Sequence, residues 1–186
     1  MMQKKVQIIS DGSLDLSQEL TKEKDIEVVP FYVSFDSETY QKEMVEVGVR
    51  EFYQEMVDHP TVFPKTSMPS VHDYYEVFEK HAKEKMPVIC ICITRKFSGS
   101  LQSATTAKDM ILEEYPDAQI TVIDSTVNTV LQGLYVLEAC RLRDMGLEYQ
   151  QIVDALLPIR ETGRIFFTIG SIDYLKNGGR IGKLAG

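Results

Sequence analysis

Two hydroxyl-bearing turns hold the residues of this chain best suited to chemistry. The first, Ser98-Gly99-Ser100, follows the apolar run 87–94 (PVICICIT) and a short basic turn, and it opens a helical pattern. Free backbone N–H groups and hydroxyls at such a point favour an anion, because the helix dipole is positive there. Three readings stand for Ser98: a nucleophile, an anion cradle, or an N-cap. The second turn is Thr66-Ser67 within 61–70 (TVFPKTSMPS), a Pro-stiffened loop whose hydroxyls have no helix start to cap. Two hydroxyl turns meeting at one edge would supply neutral donors and no base. That composition suits holding a carboxylate better than attacking a carbonyl.

A nucleophilic serine needs a base, and the chain has three histidines. His59 sits beside a proline and His81 on a charged helical segment, so both are expected at the surface. His72 falls on the first turn of a helix after the Thr66 loop and is the one able to face the site. The G-x-S-x-G elbow of hydrolases is absent around Ser98. No P-loop occurs, and no G-x-G-x-x-G follows the first strand. Gly178-Gly179-Arg180 reads as a helix C-cap. Asp11 and Asp124 end strands and have the oxygen chemistry for magnesium, but each can also accept N–H bonds within its own turn, the preferred reading. Cys90 and Cys92 share one strand face and read as small hydrophobes; without His or Cys companions they do not make a metal site. No catalytic residue, metal or cofactor is expected.

The net charge of -8 over 186 residues argues against nucleic-acid binding, which rests on basic surface. With 44% hydrophobic and 26% charged residues, the chain reads as one globular α/β domain. The apolar run after Lys4-Lys5 is too short for a signal peptide and no stretch reaches membrane-span length, so stable membrane insertion is not expected. Three cysteines without a disulfide framework suit a reducing, cytoplasmic location.

The elements that must position the turns follow from periodicity. Strands are predicted over 6–10, 26–35 (with Pro30 at a bulge or edge), 87–94, 119–123 and 164–169. Helices are predicted from Asp15 or Ser17 to 24, over 49–57, from a Ser70/Asp73 capping box to about 85, from Ser98 to about 115, over 129–145 and 147–162, and from Ser171 to Gly178-Gly179. Residues 37–44 read as a loop or small hairpin, and 61–70 as a loop. Alternating strands and helices predict a parallel-rich sheet with helices on both faces. Polar turns at Ser10-Asp11, Arg95 to Ser98, Asp124-Ser125 and Gly170-Ser171 then gather at the carboxyl edge, where such sheets bind ligands.

SDGSLDL (10–16), VPFYVSF (29–35), KTSMPS (65–70), TRKFSGSLQSA (94–104), VIDSTVNTVLQG (122–133) and IDYLKNGGRIG (172–182) form an ordered set across nearly the whole chain. In that set the sequence resembles the DegV family of bacterial fatty-acid-binding proteins, which includes the carrier subunits of fatty acid kinase. The resemblance implies the N-terminal lobe of a two-lobe DegV-like fold, with 1–186 covering that lobe and the start of the second, the C-terminal part missing. It implies a long-chain fatty acid as ligand, its carboxylate held by Thr66 and Ser98 with the Gly99 N–H nearby and Ser67 beside Thr66. Arg180 would lie near the ligand entrance. A separate kinase subunit would phosphorylate the bound acyl group, so the chain itself is expected to be a carrier and not an enzyme. The alternative is a serine hydrolase at Ser98, or a phosphoryl carrier or transferase using His72, at the same edge. Gly12, Met68, Ser100, Leu101, Thr129 and Leu131 depart from the family's usual residues; Thr66 and Ser98 do not.

Overall fold

The computed structural model describes residues 6–166, 168 and 170–179. They form two compact units: one from the residues up to Val29 with Pro69–Ile165, the other from Pro30–Met68 with residues from Phe166 onward. The larger unit holds a four-stranded parallel sheet of β1 (Gln7–Asp11), β2 (Ile26–Val29), β6 (Val88–Cys92) and β7 (Ile120–Asp124), in the order β2-β1-β6-β7. The central strands β1 and β6 are buried along their whole length, so both faces must be apolar. Alternation divides them. Ile8, Ile89, Ile91 and Ile123 pack on helices α5 (Thr129–Asp144) and α6 (Tyr149–Ile159) through Val136, Ala139, Ile152 and Leu156. On the other face, Ile9, Val88, Cys90 and Cys92 pack on α3 (Val71–Lys83) and α4 (Ser100–Glu114) through Phe78, Ala104, Ala107 and Ile111. The short α1 (Gln18–Glu23) is capped by Ser17.

Helix α3 starts at the expected capping box, with Ser70 and Asp73 exchanging hydrogen bonds. Helix α5 lies close against the 3-10 turn Gly12–Leu14. A Cβ on Gly133 would stand 2.4 Å from the Leu14 carbonyl oxygen and 2.8 Å from Leu16 Cδ2, so only glycine fits there.

The smaller unit has a three-stranded antiparallel sheet, β4 (Gln41–Lys42), β3 (Tyr32–Ser34) and β5 (Lys65–Ser67). Helix α2 (Val49–Asp58) adds Phe52, whose ring centroid lies 5.2 Å from that of Phe35. The short α7 (Asp173–Asn177) is tied down by Lys65 Nζ donating to the Asn177 carbonyl at 2.6 Å, and by Phe63 against Tyr174.

Four sequence expectations change. The strand expected over 26–35 is two strands in two sheets, because Pro30 has no N–H to continue the ladder and the chain leaves one unit for the other. The loop expected over 61–70 contains β5: between Pro64 and Pro69 the backbone is free to pair with β3, Thr66 opposite Val33. The strand expected over 164–169 does not form at residues 164–166 or 168, whereas Phe167 and Ile169 lie outside the described residues. There the Arg164 guanidinium bonds back to the Glu161 and Gly163 carbonyls. Gly170-Ser171, expected at the edge of the parallel sheet, belongs to the smaller unit instead.

Candidate functional site

After β1 the chain crosses to β2 on one side, and after α3 it returns to β6 on the other, so the switch point of this sheet lies at the carboxyl ends of β1 and β6. Open parallel sheets bind ligands at such a point. Asp11 ends β1 there, fully buried. Its Oδ2 accepts the Ile93 N–H at 2.9 Å and the Ser100 hydroxyl at 2.7 Å, and its Oδ1 accepts Gln132 Nε2 at 2.8 Å. Tyr74 completes a buried chain through its hydroxyl, 2.6 Å from Ser100 Oγ, and Gln132 Nε2 also donates to Ser10 Oγ at 3.0 Å. Asp11 therefore pins both ends of the turn 93–100 and joins it to α3 and α5. Burial pushes the Asp11 carboxyl above its usual range against the pull of these donors. Burial, with Cys92 and Asp11 close by, pushes the Tyr74 phenol well up.

Within the pinned turn, Phe97 and Ser98 donate their N–H groups to the Thr94 carbonyl, at 3.0 and 3.4 Å. The N-cap of α4 is Gly99, one residue beyond Ser98, and the half-buried Ser98 takes the Ser100 N–H on its Oγ at 3.2 Å. That bond uses an oxygen lone pair and leaves the hydroxyl proton to donate outward. Among the described residues the Gly99 N–H also has no acceptor. Two donors thus sit side by side at the N-terminus of a fifteen-residue helix. The arrangement can hold an anion.

Thr66 and Ser67 lie on β5 of the smaller unit, both exposed. Arg180 lies outside the described residues. Asp124 does what its own turn allows: Oδ1 accepts the Thr126 N–H at 2.9 Å. Asp11 does the same with the Ser13 N–H, and adds the bonds to Ile93, Ser100 and Gln132 that tie its turn to the rest of the sheet edge. His72 is exposed and pairs with Glu76 at 3.4 Å, and His59 pairs with Glu55 at 2.9 Å. His81 corrects the sequence reading: it is buried, and its Nε2 meets Glu27 at 2.7 Å. Each histidine is thus engaged with a glutamate. The Asp11, Ser100, Tyr74 and Gln132 cluster was not predicted. Its one sequence signal is Gln132, a polar residue amid the apolar positions of α5.

Among the described residues no helix is long and apolar enough to cross a membrane. Comparison with known proteins adds a family. Residues 5–186 match the DegV family model, described as uncharacterised proteins of that family. DegV domain-containing proteins of Clostridium perfringens and Caldanaerobacter subterraneus are 31% and 34% identical over 180 and 179 residues, which is 97% and 96% of this chain. The chain spans 62% and 61% of the length of those relatives. A solved stearic-acid-binding protein from Eubacterium ventriosum is 49% identical, with a TM-score of 0.91 over 97% of this chain and 62% of its own. A fatty-acid-binding DegV family protein from Thermus thermophilus is 30% identical at a TM-score of 0.79, over 97% of this chain and 62% of its own. Bacillus subtilis DegV, a fatty acid binding protein, is 25% identical at 0.85, over 95% and 61%. Sheet order, motif order and a family match across nearly every residue agree: this chain belongs to the DegV family.

Proposed function

We propose that this chain is a bacterial carrier that binds a long-chain fatty acid and does no chemistry on it. The carboxylate is held by the Ser98 hydroxyl with the Gly99 N–H, and by Thr66 with Ser67 beside it; Arg180 flanks the entrance. The observation that carries the reading is the pair of outward donors at Ser98 and Gly99, fixed by a buried carboxylate and facing no base. Hydroxyl and amide donors suit a carboxylate, each hydrogen bond to the charged group contributing roughly 1.5–3 kcal/mol net. The 49% identical stearic-acid-binding protein supports a long acyl chain as the rest of the ligand.

On this reading residues 1–186 supply the N-terminal lobe and the start of a second. The carrier presents the carboxylate to a partner kinase for acyl phosphate formation. It acts in the cytoplasm, in keeping with three free, buried cysteines. A hydrolase would need a base at Ser98, and the engagement of all three histidines with glutamates favours the carrier. Native mass spectrometry of full-length protein from a bacterial host tests the ligand. A bound fatty acid, lost in Ser98→Ala and Thr66→Ala, is expected. A covalent acyl or phosphoryl adduct on Ser98 or His72 would replace the carrier with an enzyme.

A further inference from the structure

Two cavities open side by side in the larger unit, with Arg160 and Gly163 in the wall of both. The wider, of about 570 Å³, lies beyond the carboxyl ends of β6 and β7 and is lined by Arg95, Lys96, Arg160 and Arg164 against Asp124 and Glu161. The narrower, of about 140 Å³, is a mainly apolar slot lined by Val127, Leu131, Leu134, Tyr135 and Ile159, with Glu138 in its wall neutralised by Arg141 at 2.7 Å. Four cations against two carboxylates leave the wider cavity two positive charges in excess, in a chain whose net charge is -8. The two carboxylates pair with Arg95 and Arg160, and among the described residues Lys96 and Arg164 have no carboxylate partner. Arg95 Nε stands 3.7 Å from Asp124 Oδ2. Arg160 Nε lies 3.1 Å from Glu161 in an orientation that makes no hydrogen bond, so this buried N–H has no acceptor. Among the described residues no carboxylate reaches the Lys96 ammonium. Gathering like charges around a cavity is unfavourable unless an anion enters it.

We propose that the joined cavities bind a phosphate monoester carried on an alkyl chain, the phosphate among the four cations and the chain in the apolar slot. A phosphate monoester carries about −1.5 to −2 charges at neutral pH, which matches the excess, whereas a carboxylate balances half of it. Guanidinium forks fit phosphate oxygens two at a time; Arg95 and Arg160 line one space with Arg164, whose Nη1 is given to the Glu161 and Gly163 carbonyls and whose other N–H groups remain for a ligand. The shared wall at Arg160 puts the charged and apolar parts of one ligand in contact with both cavities. The residues are separate from the Thr66, Ser67, Ser98, Gly99 and Arg180 set, so this site is additional to the fatty-acid reading.

Titration calorimetry of the full-length protein with dodecyl phosphate and with inorganic phosphate tests it, with fatty-acid binding followed in parallel. Dodecyl phosphate is expected to bind at least tenfold more tightly than inorganic phosphate. Lys96→Gln with Arg160→Gln should weaken both phosphates at least tenfold and leave fatty-acid binding unchanged; Arg95→Gln with Arg164→Gln, at two exposed positions, serves if the first pair disturbs folding. Leu134→Asp should weaken dodecyl phosphate and spare inorganic phosphate. Equal affinity for the two phosphates would remove the slot from the site. Dodecyl phosphate binding that survives both double variants, or fatty-acid binding that falls with it, would overturn the proposal.

Discussion

Asp11→Ala is the perturbation whose cost the structure specifies most fully. The substitution removes the acceptor of two buried side-chain donors, Ser100 and Gln132, and of the Ile93 and Ser13 N–H groups. Ser100 keeps Tyr74 as a partner and Gln132 Nε2 keeps Ser10, so each loses one bond to a charged group but is not stranded. The part-buried Ile93 N–H loses the side-chain acceptor that held it, at a cost toward the lower end of the about 1–3 kcal/mol of an unsatisfied buried donor. Relief of the buried carboxylate offsets part of the loss. The net is a destabilisation of roughly 2–4 kcal/mol. Urea unfolding followed by circular dichroism measures it. Asp11→Asn adds a pH arm. Burial raises the folded-state pKa of Asp11 above its unfolded value, so the folded state holds the proton longer as pH rises. The stability from this group is full below the ordinary carboxylate range and is lost as pH climbs through the raised value. Stability of wild type relative to Asp11→Asn should therefore decline with rising pH across that window and then level off. A loss under about 0.5 kcal/mol in Asp11→Ala, with an unchanged denaturant slope, would refute the assignment of Asp11 as the hub of the turn.

Two further outcomes follow from packing. Gly133→Ala forces a Cβ to 2.4 Å from a backbone oxygen, and should destabilise the fold by about 1–3 kcal/mol despite the better helix propensity of alanine, read from the same urea curves. All three thiols should resist a water-soluble thiol reagent in the native protein and react together on unfolding. They are buried; burial pushes the Cys140 thiol up to about 11, and the adjacent Cys90 sulfur, then burial, push the Cys92 thiol well above its ordinary value. Rapid native labelling of Cys90 or Cys92 would contradict the packing described for β6.

Much of the larger unit was legible in the sequence because parallel strands buried on both faces leave short apolar runs with polar stops. Residues 88–92 and 120–124 are such runs, and the Ser70/Asp73 box marks its helix from side-chain chemistry alone. The smaller unit was not, since its strands are two or three residues long and owe their existence to pairing across distant sequence: Lys65–Ser67 is a strand because Tyr32–Ser34 lies beside it. Pro30 was read as a bulge or edge position where it marks a passage between sheets. At the candidate site, Ser98 and Gly99 could be singled out because a hydroxyl and a glycine before a helix carry a local signature. Asp11 was read as a turn residue, with magnesium as the less favoured alternative. Its partners at 93, 100 and 132 are brought to it by β-strand register and helix packing, and no spacing along the chain encodes that meeting. His81 was misjudged for the same reason: its helix neighbours are charged, but Glu27 from β2 gives it a buried partner.

The central claim is that the donors at Ser98 and at Thr66 hold the carboxylate of a long acyl chain. Burial of the chain contributes about 0.8 kcal/mol per methylene, whereas the hydroxyls act on the head group alone. The direct test is the affinity of full-length wild type, Ser98→Ala and Thr66→Ala for stearate and for stearyl alcohol, by competition with a fluorescent fatty acid. Stearate should weaken by roughly tenfold or more in each variant, while stearyl alcohol changes little. Equal losses for acid and alcohol, or stearate binding unchanged in both variants, would contradict the account.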